Sequence, residues 1–156
     1  MPNSRATPAL PAGRYQFQAR YSGDANYQPS TSASEPLAIN QGSSFTDTTI
    51  LDAATLQKLT GATGESVVDT ATVTGSPFTP TGTVTYTFTG QLASLTPPTG
   101  WTVVDATTWT DTVTLSGGKV PNSPVTPPLP AGGYQFQARY SGDANYKPST
   151  LSLIHI

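Results

Sequence analysis

The sequence predicts an all-β fold, an antiparallel sandwich of about seven short strands. Runs rich in Thr, Val and aromatic residues alternate between apolar and polar positions, and clusters of Gly or Pro separate these runs. The composition agrees, because β-branched residues suit a pleated surface while the 14 Gly and 15 Pro break helices and favour turns. A long internal repeat excludes a solenoid of short units.

The repeat defines the organisation of the chain. Residues 1–31 and 120–150 are identical at 25 of 31 positions, with an offset of 119 residues. We therefore divide the chain into residues 1–40, the C-terminal remnant of one copy (the remnant), and residues 41–150, a nearly complete copy (the main unit). Met1 stands where the second copy has Val120. We expect that Met1 is not a natural N-terminus.

The most regular predicted strand covers residues 134–140, where Tyr134, Phe136, Ala138 and Tyr140 alternate with polar residues. The turn residues 130–133 and 141–145 bound it on either side. The remnant repeats the pattern over residues 15–21 and the following turn 22–26. A partner strand is predicted over about residues 33–40.

Earlier in the main unit, residues 66–74, 81–89, 102–104 and 108–115 are predicted strands, and residues 116–119 are a predicted turn. Residues 52–59 favour a short helix or an irregular loop equally, with Asp52 as a candidate cap. Five of the ten residues 121–130 (the Pro-rich segment) are proline. This segment is predicted to be a stiff extended crossover that cannot pair inside a central strand.

The last six residues, 151–156, depart from the other copy. They resemble the translation of a transposon end used in sequencing adapters, so we expect a non-native tail. The alternative is a genuine, divergent last strand. His155, the single histidine of the chain, therefore receives no functional role.

Charge and composition exclude several classes of function. The formal net charge is only -2 with no basic cluster, which predicts no nucleic-acid partner. No apolar run approaches the roughly 18 residues of a membrane span, which predicts no membrane insertion of this segment. Cysteine is absent, which excludes disulfides, thiolate catalysis and cysteine-bound metal.

The sequence does not predict an enzyme, because no nucleophile has a candidate base outside the suspect tail. We assign no catalytic, cofactor-binding or metal-binding residue and no cofactor. Seven carboxylates remain as candidates for a catalytic pair, but none lies in a motif with a fixed role. They are therefore interpreted as solvated surface residues. They are Asp47, Asp52, Glu65, Asp69, Asp105, Asp111 and Asp143.

Two further kinds of site, a calcium loop and an isopeptide crosslink, have candidate residues. Asp143 and Asn145, like Asp24 and Asn26 in the remnant, have the D-x-N spacing of calcium loops. Two side chains fall short of the six to eight oxygen ligands of calcium, so a turn stabilised by these side chains is favoured. Lys58 or Lys119 could form a Lys–Asn isopeptide crosslink only if it were buried beside an asparagine and a carboxylate.

Three sequence blocks carry a family resemblance: GESVVDTATVTG at 64–75, PTGTVTY at 80–86 and LPAGGYQFQARYSGDANY at 129–146. They resemble the bacterial immunoglobulin-like repeats of large surface and secreted proteins. The resemblance implies an immunoglobulin-like sandwich with Greek-key connections and no conserved active site. In such folds Tyr134 is a candidate tyrosine corner, whose hydroxyl bonds back to the turn; a plain core tyrosine is equally favoured.

The resemblance implies a structural spacer or stalk in a bacterial cell-surface or secreted adhesin-type protein, outside the cell. Its expected partners are neighbouring repeats of the same chain, together with a host or matrix protein or glycan. The alternatives are a glycan- or protein-binding module, or an accessory linker of a secreted hydrolase. Exposure of Trp101 and Trp109 would favour a binding module, and their burial would count against it.

One expectation concerns the fragment itself. The main unit lacks a last strand equivalent to residues 33–40, so residues 151–156 or strands of the remnant should fill the open sheet edge. Two strands alone are marginally stable in water, so we expect the chain to be unstable or to self-associate.

Overall fold

The computed structural model describes residues 5–154, with side chains described through residue 151. Met1 and His155 lie outside the described residues. The described chain contains strands and turns and no helix. In chain order the strands are β1 (Gly13–Phe17), β2 (Arg20–Tyr21), β3 (Ser30–Thr31), β4 (Glu35–Ile39), β5 (Phe45–Asp52), β6 (Val67–Thr74), β7 (Thr83–Gly90), β8 (Thr102–Asp105), β9 (Thr108–Thr114), β10 (Tyr134–Tyr140) and β11 (Ser149–Ile154).

The main unit is an antiparallel β-sandwich, as the sequence predicts. One sheet has five strands in the order β11-β10-β7-β9-β8, and β5 pairs with β6 in the other. The chain crosses from β6 to β7, and β10 returns beside β7 after a long connection. The long connection therefore makes neighbours of two strands that are not consecutive in the sequence. The predicted strands 66–74, 81–89, 102–104, 108–115 and 134–140 are confirmed within two residues at each end.

The core lies between the two sheets. Val67, Ala71 and Val73 of β6 point inward toward alternate residues of β7 and β10, among them Phe88 and Phe136. The rings of Phe88 and Phe136 have centroids 4.6 Å apart. A period of two on both sheets therefore produces one continuous apolar layer.

The Pro-rich segment lies along the free edge of β6. Its buried residues are Ser123, Thr126 and Leu129, every third position. The N–H groups of these same residues donate to carbonyl oxygens of residues 69, 67 and 65. A period of three is typical of polyproline II, which has three residues per turn. As predicted, the segment is extended and occupies an edge, not a central strand.

The hydroxyls of this segment complete the edge. The Thr126 Oγ1 accepts a hydrogen bond from the Val67 N–H at 2.9 Å, and the Ser123 Oγ accepts one from the Asp69 N–H at 2.9 Å. From the core, the Trp101 indole N–H donates a hydrogen bond of 3.1 Å to the Val125 carbonyl. The backbone N–H groups of Val67 and Asp69 therefore both have acceptors at this edge.

The remnant forms two small ladders of its own, β1 with β4 and β2 with β3. The predicted partner strand at residues 33–40 is confirmed as β4. Its aromatic side chains are exposed, whereas their identical counterparts in the main unit are buried: Phe17 is 44% exposed and Phe136 is 0%. In the main unit, β7 and the core behind it supply the cover that the remnant's strands do not have among the described residues.

Two predictions about the main unit are resolved. Residues 52–59 form an irregular turn, in which the Asp52 Oδ1 accepts the Thr55 N–H at 2.8 Å, and not a short helix. Residues 151–154 continue β11 and pair with β10, which confirms that the tail fills the open edge; residues 155–156 lie outside the described part. Strand β5 was missed by the sequence analysis.

Candidate repeat-to-repeat interface

The turn after β10, residues 141–146, is built around the carboxylate of Asp143. Its Oδ1 accepts the N–H groups of Asn145 at 2.7 Å and Tyr146 at 2.9 Å. Gly142 has a φ of +75°, and a Cβ at this position would lie 2.8 Å from the Tyr146 carbonyl oxygen. Glycine is therefore required before Asp143 for the turn to close.

The same carboxylate binds the turn to Thr81, two residues before β7. The Asp143 Oδ2 accepts the Thr81 N–H at 2.8 Å and the Thr81 hydroxyl at 3.1 Å. Burial acts to raise the pKa of Asp143, but the backbone N–H groups of Thr81, Asn145 and Tyr146 outweigh it and hold the pKa below 3.8. The PTGTV and YSGDANY blocks, far apart in the sequence, thus form one structure.

Tyr146 holds the loop between β6 and β7 in place at this end of the sandwich. Its ring is buried, and its hydroxyl donates to the Phe78 carbonyl at 2.7 Å and accepts the Phe78 N–H at 2.9 Å. A Cβ on Gly75 would lie 2.6 Å from the ring of Tyr146. The loop between β6 and β7 is therefore held against the turn by one tyrosine.

The remnant meets the main unit at this turn. The Ala12 N–H donates to the Asn145 Oδ1 at 3.0 Å, and the Gln41 side-chain amide donates to the Asp143 carbonyl at 2.6 Å. Gly42 donates to the Asn145 carbonyl at 2.8 Å and accepts the Lys147 N–H at 3.0 Å. The Ala12 bond therefore joins the two copies, while the bonds of Gln41 and Gly42 hold the first residues of the main unit against its own turn.

Beside these hydrogen bonds lies an apolar contact region. Leu10, Ala12 and Ile39 of the remnant face Phe78 and Tyr146 of the main unit around a cavity of about 130 Å³. Tyr146 thus links the interior of the main unit to the junction.

The geometry favours a turn over a calcium loop at the D-x-N positions. Both Asp143 oxygens are occupied by protein donors, and Asp24 Oδ1 in the remnant likewise accepts the Asn26 and Tyr27 N–H groups. Within residues 5–154 no group of three or more His, Asp or Glu side chains could hold a metal ion. Sequence reasoning missed the use of Asn145, because its partner Ala12 lies in the other copy.

The tryptophans belong to the core. Trp101 is 8% and Trp109 is 2% exposed, and their ring centroids are 6.3 Å apart. Tyr134 is also buried and stacks on Phe88 at 5.7 Å, which fits the interpretation as a core tyrosine. The hydrogen bond of a tyrosine corner is present in the remnant, where the Tyr15 hydroxyl donates to the Pro11 carbonyl at 2.7 Å.

The remaining sequence candidates are dispersed. Lys58 and Lys119 are both exposed, so neither has the buried setting of an isopeptide crosslink. Asp47 and Asp105 are exposed, and Asp52, Glu65 and Asp111 are half-buried. Asp69 is the exception to the expected solvated surface, because it is fully buried on β6.

The burial of Asp69 has a clear electrostatic consequence. Its two oxygens have no hydrogen-bond partner among the described residues. Burial removes water from the charged form and raises the pKa of Asp69 from 3.8 to about 7. The signal was present in the sequence, since Asp69 occupies an inward position between Val67 and Ala71.

Comparison with known proteins gives no match: no family model, no curated protein and no solved structure is similar to this chain. The described residues contain no helix long and apolar enough to cross a membrane.

Proposed function

We propose that this chain is part of a tandem array of immunoglobulin-like repeats that acts as a spacer or stalk in a bacterial cell-surface or secreted adhesin-type protein. The observation that carries the proposal is the junction between the remnant and the main unit. A linker that only tethered two copies would not need the hydrogen bond of Ala12 to the turn of the next copy or the apolar contact region beside it. Fixed contacts at each junction give an array both length and stiffness.

Burial of the two tryptophans supports a spacer over a binding module. Glycan and protein sites commonly present exposed aromatic side chains, and Trp101 and Trp109 are instead packed in the core with Phe88. A non-enzymatic role agrees with the dispersed carboxylates. The extracellular location and the host or matrix partner of the full array rest on the sequence resemblance alone.

The proposal predicts a constant gain in length for each added copy. The eight-residue strand β6 alone spans about 26 Å, so each copy should add at least that distance to the long axis. Small-angle X-ray scattering of the chain, and of residues 1–150 continued by one or two copies of residues 32–150, measures the maximum dimension. The spacer role would be contradicted if the maximum dimension stayed constant, or if it grew with added copies no faster than that of a compact particle.

The binding-module alternative is tested with the same proteins. A glycan array and a titration with extracellular-matrix proteins should show no saturable binding to the single chain. Saturable binding that survives in the single chain and is lost on altering loops at one end would favour that alternative.

A further inference from the structure

The main unit carries a second copy of the turn that the remnant uses at the junction. Leu10-Pro11-Ala12-Gly13 of the remnant and residues 129–132 of the main unit are the same sequence, Leu-Pro-Ala-Gly. In the remnant, this turn contacts the next copy through Leu10 and Ala12. In the main unit, the same turn lies at the other end of β10 from residues 141–146.

This second surface is open. Ala131 is exposed, whereas its counterpart Ala12 is half-buried at the junction. Within the described residues the N–H of Ala131 has no acceptor, while that of Ala12 has Asn145. A cavity of about 160 Å³ lies beside Ala131 and is bordered by Leu129, Gly132 and residues 61–65. The main unit therefore presents the same hydrogen-bond donor beside a hollow, although Leu129, unlike Leu10, is packed in its own core.

We propose that this end of the main unit, formed by residues 61–65 and 129–132 (the docking end), binds the 141–146 turn of another copy of the repeat. The asparagine of that copy accepts a hydrogen bond from the Ala131 N–H, as Asn145 accepts one from Ala12. Residues 61–65 have no counterpart in the remnant, so they extend the contact beyond the junction seen in this chain. The inference rests on the proposed function and specifies how successive repeats are joined.

The two surfaces dictate a polarity. The docking end precedes β10 and the asparagine turn follows it, so they are separated by about 23 Å along this seven-residue strand. Each copy therefore carries the donor surface at one end and the acceptor at the other. Contacts of this head-to-tail kind generate an open array when the rotation between successive copies does not close a ring.

Amide hydrogen exchange of Ala131 tests the docking end directly. The chain is compared with residues 1–150 continued by a second copy of residues 32–150, whose folding is checked by a cooperative melt. We expect exchange at the Ala131 N–H to slow by about tenfold or more in the extended chain, which is the scale of one net hydrogen bond. Ala12 should be protected in both chains and serves as the internal reference.

Substitutions assign the protection to one side chain. Asn145→Ala in the added copy alone should return Ala131 to fast exchange and leave Ala12 protected. The same substitution in the first copy alone should return Ala12 to fast exchange and leave Ala131 protected. Asn145→Asp retains a side-chain acceptor and should preserve protection, which separates loss of the contact from misfolding of the turn.

The outcomes separate the inference from the proposed function. Equal exchange of Ala131 in the two chains, with Ala12 protected, would overturn the docking end. If the extended chain still lengthened by a constant increment, the spacer role would stand without it. If Ala131 were protected but added copies failed to lengthen the array, the docking would stand and the spacer role would fall.

Discussion

The buried carboxyl of Asp69 should make the stability of this protein fall as the pH rises. Asp69 is 0% exposed, and the pKa of its carboxyl rises from 3.8 to about 7 on burial. In the unfolded chain Asp69 loses its proton near pH 4, whereas in the folded chain it keeps the proton until about pH 7. The folded state binds more protons between these values, so increasing pH favours unfolding there.

The size of the effect follows from the same two values. A pKa raised from 3.8 to about 7 corresponds to about 4 kcal/mol of unfolding free energy, lost progressively over that interval. Below pH 4 the contribution of Asp69 is fully present, and above pH 7 the loss is complete. Tyr86 on the facing sheet is the nearby titratable group: its pKa is raised by its own burial and then by the charges of Asp69 and Asp111.

Asp69→Asn isolates this contribution, because it keeps the size of the side chain and removes the titration. We expect the variant and the parent chain to have equal stability near pH 3.5. The variant should be more stable by about 4 kcal/mol at pH 8. Urea unfolding followed by tryptophan fluorescence at half-unit pH steps measures the difference.

The surface residue Asp105 provides a control, because its effect on stability changes with pH in the opposite direction. The N–H and hydroxyl of Thr107 hold the pKa of the exposed Asp105 below 3.8, so Asp105 stabilises the fold above that pH and loses this effect as pH falls. Asp105→Asn should therefore lower stability slightly at neutral pH and have no effect in acid. A stability difference for Asp69→Asn that does not change between pH 4 and pH 8 would refute the reasoning for Asp69.

Three further predictions are measured by urea unfolding of the main unit, and the repeat supplies matched controls for the first two. Tyr146→Phe removes the hydroxyl bonded to both backbone groups of residue 78 and should cost about 1–3 kcal/mol, while Tyr27→Phe, 69% exposed in the remnant, should cost nothing measurable. Thr126→Val leaves a buried N–H of β6 without its acceptor and should also cost about 1–3 kcal/mol, against no change for the exposed Thr7→Val. Gly75→Ala places a Cβ 2.6 Å from a buried ring and should cost about 1–3 kcal/mol. Equal effects in the two members of a pair, or no effect of the alanine, would contradict these assignments.

The strands of the main unit could be predicted where hydrophobic alternation agrees with burial, as in β7 and β10. Strand β5 was missed because its pattern is inverted: Phe45 is 64% exposed, while Thr46 and Thr48 are buried. The Thr46 hydroxyl lies 2.6 Å from the Ser149 hydroxyl of β11, so a polar pair occupies an inward position. No period of apolar residues reveals such a strand.

The candidate interface could be predicted only in part. Asp143 was correctly placed in a turn, because the D-x-N spacing and the preceding glycine favour side-chain to backbone bonds within a few residues. The role of Asn145 could not be predicted, because Ala12 is a backbone donor with no sequence signature and lies in a different copy. Contacts between repeats depend on how two folded units meet, which local patterns do not encode.

The turn after β10 couples the fold of one repeat to the position of the copy before it. Asp143 binds Thr81 within its own copy, and its neighbour Asn145 binds Ala12 of the preceding copy. In the remnant, where β7 has no counterpart, the Asp24 Oδ2 accepts the Tyr21 hydroxyl instead. The turn can therefore form without its sandwich, but the bond that anchors it to β7 cannot. Because the anchored turn presents the asparagine, loss of the Thr81 contact in one repeat should loosen the junction to the preceding repeat as well as the repeat itself.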